Sequence, residues 1–271
     1  MTRPGATDPV VCCDLDGVIW RGDEPIVPAV AGIAELRAAG TRVGFVSNNS
    51  SHTIADVVAK LRACGVEAEA ADVLTSAVSA ARLLADDLDP DARVLACAGP
   101  GVTEALAEVG LQPVDRLPAE AVVVGFHRGF DFAELDIASR AVREGARFVS
   151  TNLDATYPVA DGLMPGSGAI TAAVATASGQ RPDVAGKPEA PMVALVRERL
   201  GTTGIVVGDR PSSDGALADA LGWPFALVLS GVTTAVATPG GEAIPEPPPP
   251  FVADDLGGLV PELLAALAHS T

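Results

Sequence analysis

The chain has 271 residues, of which 48% are hydrophobic and 20% charged, so it is long and apolar enough to build one or two folded domains. Its 35 acidic residues outnumber its 18 basic residues, and the formal net charge is -17. Nucleic acids and anionic membrane surfaces are bound through an excess of Lys and Arg, so we expect neither as a partner. A small anionic ligand stays compatible with this charge, because one local cationic site can override the field of the whole protein.

The cysteine pattern and the lack of long apolar segments predict a cytoplasmic protein. Cys12 and Cys13 are adjacent, Cys64 and Cys97 are isolated, and no two of the four form a C-x-x-C pair. This pattern is typical of small buried side chains in a reducing compartment, and it predicts neither a zinc site nor disulfides. The N-terminal sequence has no apolar segment of a secretory signal, and no stretch reaches the roughly 18 apolar residues that a membrane span needs.

Short apolar runs alternate with longer segments rich in Ala, Leu, Glu and Arg. This alternation predicts β-α-β units around a parallel sheet, and therefore an α/β fold. The predicted strands are 10–13, 42–46, 93–96, 121–125, 147–150, 205–207 and 225–229. The predicted helices are 29–39, 54–63, 76–88, 103–109, 132–144, 169–177, 191–200 and 261–268, the last with Pro261 at its first position, and a loop is predicted at 161–168.

Carboxylates follow two of the predicted strands at the point where each strand ends. Asp14 and Asp16 come after the first apolar run. Asp209 follows the run 205–207, and Asp214 lies five residues further on. Ligands of open parallel sheets bind beyond the carboxyl ends of the strands, where carboxylates suit Mg²⁺. Taken alone, the first motif is also compatible with a loop of two solvated acids, and the second with an Asp that caps a helix.

Two further motifs add hydrogen-bond donors and a positive charge. Ser47 and Asn48 end the second strand, where a hydroxyl group and backbone N–H groups can bind an anion. Lys187 stands beside a predicted strand end in an acidic protein, where it can neutralise a phosphate or a reaction intermediate. Combined with the paired Asp residues, these groups are the parts that phosphoryl transfer needs.

The four segments resemble the four motifs of the haloacid dehalogenase superfamily of phosphohydrolases. Asp14-Leu15-Asp16-Gly17-Val18, Ser47-Asn48-Asn49-Ser50, Lys187, and Gly208-Asp209 through Asp214 occur in the order of that family, and the resemblance covers most of the chain. Ser47 and Lys187 are 140 positions apart (187 − 47), far more than one crossover requires, so an additional domain must lie between them. That spacing matches the branch with an α/β cap between the second and third motifs. Within it, the chain is similar to the nitrophenylphosphatase, phosphoglycolate phosphatase and pyridoxal phosphate phosphatase group.

The resemblance implies a Rossmann-like parallel-sheet core domain, residues 1–77 and 184–271, with an inserted α/β cap domain at 78–183. It implies Mg²⁺-dependent hydrolysis of a small phosphorylated metabolite through an aspartyl-phosphate intermediate. Glycerol phosphate, phosphoglycolate, pyridoxal phosphate and sugar phosphates all stay open as substrates. A homodimer formed through the cap is implied by relatives.

The catalytic roles of the family carry over to five residues of this sequence. Asp14 would attack phosphorus, and Asp16 would protonate the leaving group and then activate water. Ser47 and the amide of Asn48 would hold the phosphoryl oxygens. Lys187 would neutralise the nucleophile and the intermediate.

The metal site and the cap contribute further implied roles. The Asp14 side chain, the Asp16 carbonyl and Asp209 would bind Mg²⁺, and Asp214 would orient them without being a ligand. Arg128 follows a predicted cap strand and is expected to contact an anionic substrate, with His127 beside it shaping the pocket. The rare aromatic residues Tyr157 and Trp223 are interpreted as packing residues.

Three alternative functions are compatible with parts of the pattern. The same fold can carry a phosphotransferase or phosphomutase that passes the phosphoryl group to an acceptor other than water. A catalytically silent ligand-binding protein is disfavoured, because Asp14, Asp16, Lys187 and Asp209 are all present. A nucleotide-binding oxidoreductase is disfavoured as well, because Cys97-Ala98-Gly99-Pro100-Gly101 does not complete the G-x-G-x-x-G fingerprint.

Overall fold

The computed structural model describes residues 9–159, 162–234 and 241–268. Within these ranges the strands are β1 (Val10–Cys13), β2 (Trp20–Arg21), β3 (Glu24–Pro25), β4 (Arg42–Ser47), β5 (Val73–Thr75), β6 (Arg93–Cys97), β7 (Gln112–Val114), β8 (Ala121–Val124), β9 (Arg147–Ser150), β10 (Thr156–Val159), β11 (Gly162–Pro165), β12 (Asp183–Val184), β13 (Gly204–Gly208), β14 (Phe225–Val228) and β15 (Phe251–Ala253).

The helices alternate with these strands. They are α1 (Val27–Ala38), α2 (Ile54–Ala63), α3 (Ser76–Ala85), α4 (Pro100–Glu108), α5 (Phe132–Arg143), α6 (Ser167–Ser178), α7 (Ala190–Leu200), α8 (Ala216–Leu221) and α9 (Leu256–Ala268). A π-helical turn at Pro211–Gly215 precedes α8. In the described part of the chain, no helix combines the length and the apolar character that crossing a bilayer requires.

The first sheet has six parallel strands in the order β15-β14-β13-β1-β4-β5. Its central strand β1 is buried along its whole length, as a strand covered on both faces should be. Helices α1, α2 and α9 pack on one face of the sheet, and α7 and α8 pack on the other. The carboxyl ends of β1, β4 and β13 therefore meet at one edge of this sheet.

The second sheet has five parallel strands in the order β12-β9-β8-β6-β7. Helices α3 and α4 cover one face, and α5 and α6 cover the other. All of these elements lie between Ser47 and Lys187 in sequence, where the length of the chain requires additional structure. The predicted domain limits, between 77 and 78 and between 183 and 184, fall inside α3 and β12, and the division into core and cap stays a prediction.

The predicted start of the last helix at Pro261 is wrong. Helix α9 begins five residues earlier, at Leu256, and Pro261 lies inside it. Residues Leu256, Leu259, Val260 and Leu263 form a fully buried apolar stripe that packs in the core shared with α1. Burial of this stripe outweighs the hydrogen bond that the missing proline N–H cannot make.

The predicted loop at 161–168 contains a strand, although Asp161 itself lies outside the described residues. Strand β11 pairs antiparallel with β10 in a separate hairpin, and α6 begins at Ser167 rather than at Ala169. The strands β5, β7, β12 and β15 also escape sequence analysis, because they have two or three residues each and lie at or beside sheet edges. Strands this short carry almost no periodic signal.

The burial pattern of α9 makes a quantitative prediction. Leu263→Ala should lower the free energy of unfolding by about 2–5 kcal/mol, because it leaves a cavity in the core between α9 and α1. Glu262→Ala, at the neighbouring exposed position, should stay within about 0.5 kcal/mol of wild type. Chemical denaturation of the three proteins measures both values. Equal losses of unfolding free energy in the two variants would contradict this placement of the helix.

Candidate active site

Asp14 lies at the carboxyl end of the central strand in a buried ionic cluster. Its main-chain N–H donates a hydrogen bond to the carbonyl oxygen of Val207 at 2.9 Å, and this bond continues the pairing of β1 with β13. The Nζ atom of Lys187 lies 2.5 Å from Oδ1 of Asp14 and 2.6 Å from Oδ1 of Asp214, and all three residues are buried. Nζ also donates to the carbonyl of Val46 at 3.3 Å. The fold thus unites three charged groups that the sequence keeps far apart.

Asp209 follows β13, the strand beside β1, and brings a third carboxylate to the cluster. Its Oδ2 atom accepts a hydrogen bond from the Val232 N–H at 2.5 Å. A side chain at Gly231 would overlap the carboxylate of Asp209, so this position must be glycine for the loop to approach so closely. Oxygen atoms of Asp14, Asp209 and Asp214 all lie within 4.8 Å of one another.

The electrostatics of this cluster favour a bound cation. Burial raises the pKa of Asp14 well above its usual range; the ammonium of Lys187 opposes this shift, and Asp214 and Asp209 add to it. Burial, followed by the charge of Asp214, raises the pKa of Asp209 to about 7. Burial disfavours the charge of Lys187, but Asp14 and Asp214 more than compensate and raise its pKa. With all three carboxylates ionised against one ammonium the cluster would carry two negative charges, so the oxygen set fits one divalent cation such as Mg²⁺.

Ser47 and Asn48 lie at the end of β4, beside this cluster. The Ser47 hydroxyl accepts from the N–H of Asn49 at 3.0 Å. The Asn48 side-chain amide donates to Oδ2 of Asp154 at 3.1 Å and to the carbonyl of Lys187 at 3.3 Å, while its Oδ1 accepts from the Lys187 N–H at 2.8 Å. The side chain of Asn48 therefore fixes the main chain of Lys187, a structural task that sequence analysis did not anticipate.

Asp16 makes two hydrogen bonds through the same carboxylate oxygen. Oδ1 accepts from Nε1 of Trp20 at 2.9 Å and from the hydroxyl of Tyr157 at 3.0 Å. The Tyr157 ring stacks on Phe126 with 5.5 Å between ring centroids, and Asn49 reaches its hydroxyl at 3.5 Å. Burial, followed by the negative charge of Asp16, raises the pKa of Tyr157, so the hydroxyl stays protonated and donates.

These residues line one open cavity between the two sheets. Most of the residues that line it are polar or charged, and the rings of Phe126 and Tyr157 form an apolar part. The predicted residues that line it are Asp14, Asp16, Ser47, Asn48, Lys187, Asp209 and Asp214. The lining residues to which sequence analysis assigned no role at the site include Asn49, Phe126, Asn152, Asp154, Thr156, Tyr157, Arg210 and Ser213.

The interpretation of Tyr157 as a packing residue is incomplete, because its hydroxyl contacts Asp16. It is the only tyrosine in the chain, and this rarity is the one sequence signal that could have marked it. Trp223 is buried and donates through Nε1 to the carbonyl of Thr202 at 2.9 Å, which confirms its packing role.

Arg128 does not line the cavity with the other predicted site residues. It is exposed, its guanidinium group lies 3.9 Å from the sulfur of Met164, and it is absent from the described wall of the cavity. His127 is likewise outside the cavity wall, and its Nε2 lies 3.2 Å from a carboxylate oxygen of Glu134. The contribution of Arg128 to substrate binding stays a prediction.

Comparison with protein families gives two matches. Residues 11–112 match the model described as haloacid dehalogenase-like hydrolase. Residues 184–259 match a second model, described as HAD-hydrolase-like. The first match includes Asp14, Asp16 and Ser47, and the second includes Lys187 and Asp209.

Individual relatives agree with these family matches. The D-glycerol 3-phosphate phosphatase of Mycobacterium tuberculosis is 40% identical over 249 residues, 91% of this chain and 69% of the relative. A crystal structure of glycerol phosphate phosphatase from the same organism in complex with magnesium superposes with a TM-score of 0.81 at 37% identity, covering 93% of this chain and 76% of that one. The structure of the p-nitrophenyl phosphatase from Archaeoglobus fulgidus superposes with a TM-score of 0.83 at 32% identity, and the match covers 94% of this chain and 99% of that one.

The raised pKa of Asp209 predicts how the stability of the metal-stripped protein depends on pH. A carboxyl group whose pKa rises from 3.8 in the unfolded chain to about 7 in the folded protein favours folding at low pH, and this contribution disappears as the pH rises through 7. Asp209→Asn should therefore be more stable than wild type at pH 8, by roughly 1–4 kcal/mol, and closely similar at pH 4.

Denaturant unfolding of metal-stripped protein at both pH values measures this difference. Asp219→Asn, which alters an exposed carboxylate on α8, is the matched control and should show no pH-dependent difference from wild type. A stability difference for Asp209→Asn that is the same at pH 4 and pH 8 would contradict the assigned ionisation.

Proposed function

This chain belongs to the haloacid dehalogenase-like hydrolases, and from that premise we propose that it is a Mg²⁺-dependent phosphatase of small phosphomonoesters. The observation that carries the proposal is the cavity in which the buried Asp14–Lys187–Asp214 cluster, Asp209 and Asp16 meet. The phosphatase names of its relatives support the same class of reaction. Hydrolysis of phosphate monoesters is among the slowest uncatalysed reactions, and a covalent nucleophile with nearby positive charge addresses both the attack and the developing charge.

We assign the nucleophile to Asp14. Lys187 engages its Oδ1 atom, which leaves Oδ2 to form a bond to phosphorus while the bond between phosphorus and the ester oxygen breaks. In the second step water attacks phosphorus, the bond to Oδ2 of Asp14 breaks, and inorganic phosphate leaves. Lys187 holds a positive charge beside the carboxylate throughout, and Ser47 supplies a hydroxyl group at the same wall of the cavity.

We assign acid-base catalysis to Asp16. Trp20 and Tyr157 both donate to Oδ1, so Oδ2 is the atom that gives a proton to the departing ester oxygen and later accepts one from the attacking water. A positioned group of this kind contributes about 10²–10⁴-fold to the rate. Because Tyr157 lies on the hairpin β10–β11, the orientation of Asp16 depends on a segment that lies between β9 and β12 of the second sheet in sequence.

The metal ligands we propose are the side chains of Asp14 and Asp209 and the main-chain carbonyl of Asp16. When bound, Mg²⁺ neutralises charge on the phosphoryl oxygens. Asp214 is a positioning residue in this scheme, because its Oδ1 is bonded to Lys187 and its Oδ2 accepts from the N–H of Arg210 at 3.1 Å.

The substrate we propose is the phosphate ester of a small hydroxylated alcohol such as glycerol or a sugar. The wall of the cavity beyond the acidic cluster combines hydrogen-bonding groups of Asn49, Asp154 and Thr156 with the rings of Phe126 and Tyr157. Such a wall suits a leaving group that carries hydroxyl groups and C–H faces. In this proposal the second sheet, its helices and the hairpin act as the cap. A cytoplasmic location and a homodimer through the cap stay predictions.

The central experiment measures phosphate release from p-nitrophenyl phosphate and from a panel of glycerol, sugar and glycolate phosphates. Wild type should release phosphate with Mg²⁺ and not with chelator. Asp14→Asn should lower kcat by at least about a thousandfold, because the amide is a poor nucleophile. Asp219→Asn, at an exposed position outside the cavity wall, is the control and should retain the activity of wild type. Release that survives Asp14→Asn would overturn the nucleophile, and transfer to an added alcohol in preference to water would favour the phosphotransferase alternative.

The contact between Tyr157 and Asp16 gives a separate kinetic prediction. Tyr157→Phe keeps the ring that stacks on Phe126 and removes only the hydroxyl group, so Asp16 loses one of its two described donors. We expect kcat to fall by roughly tenfold with KM changed much less, since the loss affects proton transfer rather than binding. The pH profile of kcat should shift together with the rate. A change confined to KM, or a lower melting temperature with unchanged kcat, would assign Tyr157 to packing alone.

A further inference from the structure

A second cluster of metal-ligating side chains lies in the second sheet, outside the wall of the phosphatase cavity. Cys97 is the last residue of β6, His127 lies in the loop that follows β8, and Glu134 is in the first turn of α5. One ligand atom from each, a sulfur, an imidazole nitrogen and a carboxylate oxygen, lie within 4.8 Å of one another. Neighbouring strands β6 and β8 bring the first two together, and the helix that packs behind them supplies the third.

The Nε2 atom of His127 faces Glu134 within this cluster. Its Nε2 atom is buried and lies 3.2 Å from Oε2 of Glu134, but across the described part of the chain it has no hydrogen-bond partner of acceptable geometry. Buried polar nitrogen atoms are nearly always paired with another group, with water or with an ion. The sulfur of Cys97 is buried as well, whereas the Glu134 side chain keeps 28% of its surface exposed and leaves a path to solvent.

We propose that Cys97, His127 and Glu134 bind one Zn²⁺ ion. A thiolate, an imidazole and a carboxylate are together a donor set for zinc, whereas Mg²⁺ takes oxygen ligands alone. Bond lengths of about 2.0–2.3 Å in a tetrahedron require ligand atoms roughly 3.3–3.8 Å apart. The nitrogen–oxygen pair is already at 3.2 Å, so small side-chain rotations that draw the three groups together suffice. Water is the fourth ligand on the side that Glu134 leaves open.

The position of the site suggests what the ion would stabilise. His127 directly follows Phe126, which stacks on Tyr157 and lines the phosphatase cavity. An ion held by all three residues would tie the loop after β8 to the end of β6 and to the start of α5. It would thereby fix one wall of the cavity from outside, as a structural ion rather than a catalytic one.

Cobalt is the probe, because Co²⁺ replaces Zn²⁺ in such sites and reports thiolate ligation by absorption. Thiol-reduced, chelator-treated full-length protein is titrated with Co²⁺. We expect one equivalent per chain to give a thiolate-to-metal charge-transfer band with tetrahedral visible bands, and Zn²⁺ to abolish both by displacement. Zn²⁺ should also raise the melting temperature of wild type.

Substitutions at the three ligands and at residues elsewhere test whether the metal binds at this site. Cys97→Ser should remove the charge-transfer band, and His127→Asn and Glu134→Gln should each weaken binding by at least about tenfold. Cys64→Ser, at a partly exposed thiol, and Asp14→Asn, in the phosphatase cluster, should both retain the band. If Cys97→Ser does not fold, His127→Asn on the partly exposed loop decides alone. The absence of a band with wild type, or a band unchanged in His127→Asn, overturns the proposal irrespective of phosphatase activity.

Discussion

The rest of the candidate active site depends on the ion pairs that the buried ammonium group of Lys187 forms with the carboxylates of Asp14 and Asp214. A buried charge is tolerated only when it is paired and hydrogen-bonded, and here both carboxylates and the carbonyl of Val46 surround it. The partners are 173 and 27 positions away in sequence. The chain must therefore return from the second sheet to the edge of the first sheet at this residue. Removing Lys187 would leave the two carboxylates buried without a compensating positive charge.

This return couples the two sheets through polar contacts. Asn48, at the edge of the first sheet, holds the main chain of Lys187, and its own carbonyl accepts from Asn152 and from Ser76, each at 2.7 Å. Asp16 accepts a hydrogen bond from the hydroxyl group of Tyr157 on the hairpin β10–β11. In the proposed mechanism the nucleophile, the cation and the acid-base group are all oriented by segments that enter or leave the second sheet. The same segments would then both enclose the substrate and orient the catalytic groups.

The two candidate metal sites of this chain differ in chemistry. The phosphatase cluster, formed by Asp14, Lys187, Asp209 and Asp214, offers carboxylate oxygens next to an ammonium group, and this set suits a hard divalent cation that keeps some of its water. The cluster at Cys97 offers a sulfur, a nitrogen and an oxygen without a lysine, and suits a softer ion held for structure. Because Phe126 directly precedes His127 and lines the phosphatase cavity, a change at the second cluster would reach the first through the wall of the cavity.

The amino-acid sequence determined the alternation of strands and helices and indicated the candidate catalytic carboxylates, because apolar runs are local signals and Asp14 and Asp209 lie at the ends of two such runs. It also required an additional α/β unit between Ser47 and Lys187, since chain length has to be accommodated somewhere. It could not reveal the hydrogen bond from Tyr157 to Asp16, the side-chain role of Asn48, or the grouping of Cys97, His127 and Glu134. Each of these depends on which strands pair and which helix packs behind them. Such contacts join residues that are distant in sequence, and only tertiary structure brings them within hydrogen-bonding or ligand distance.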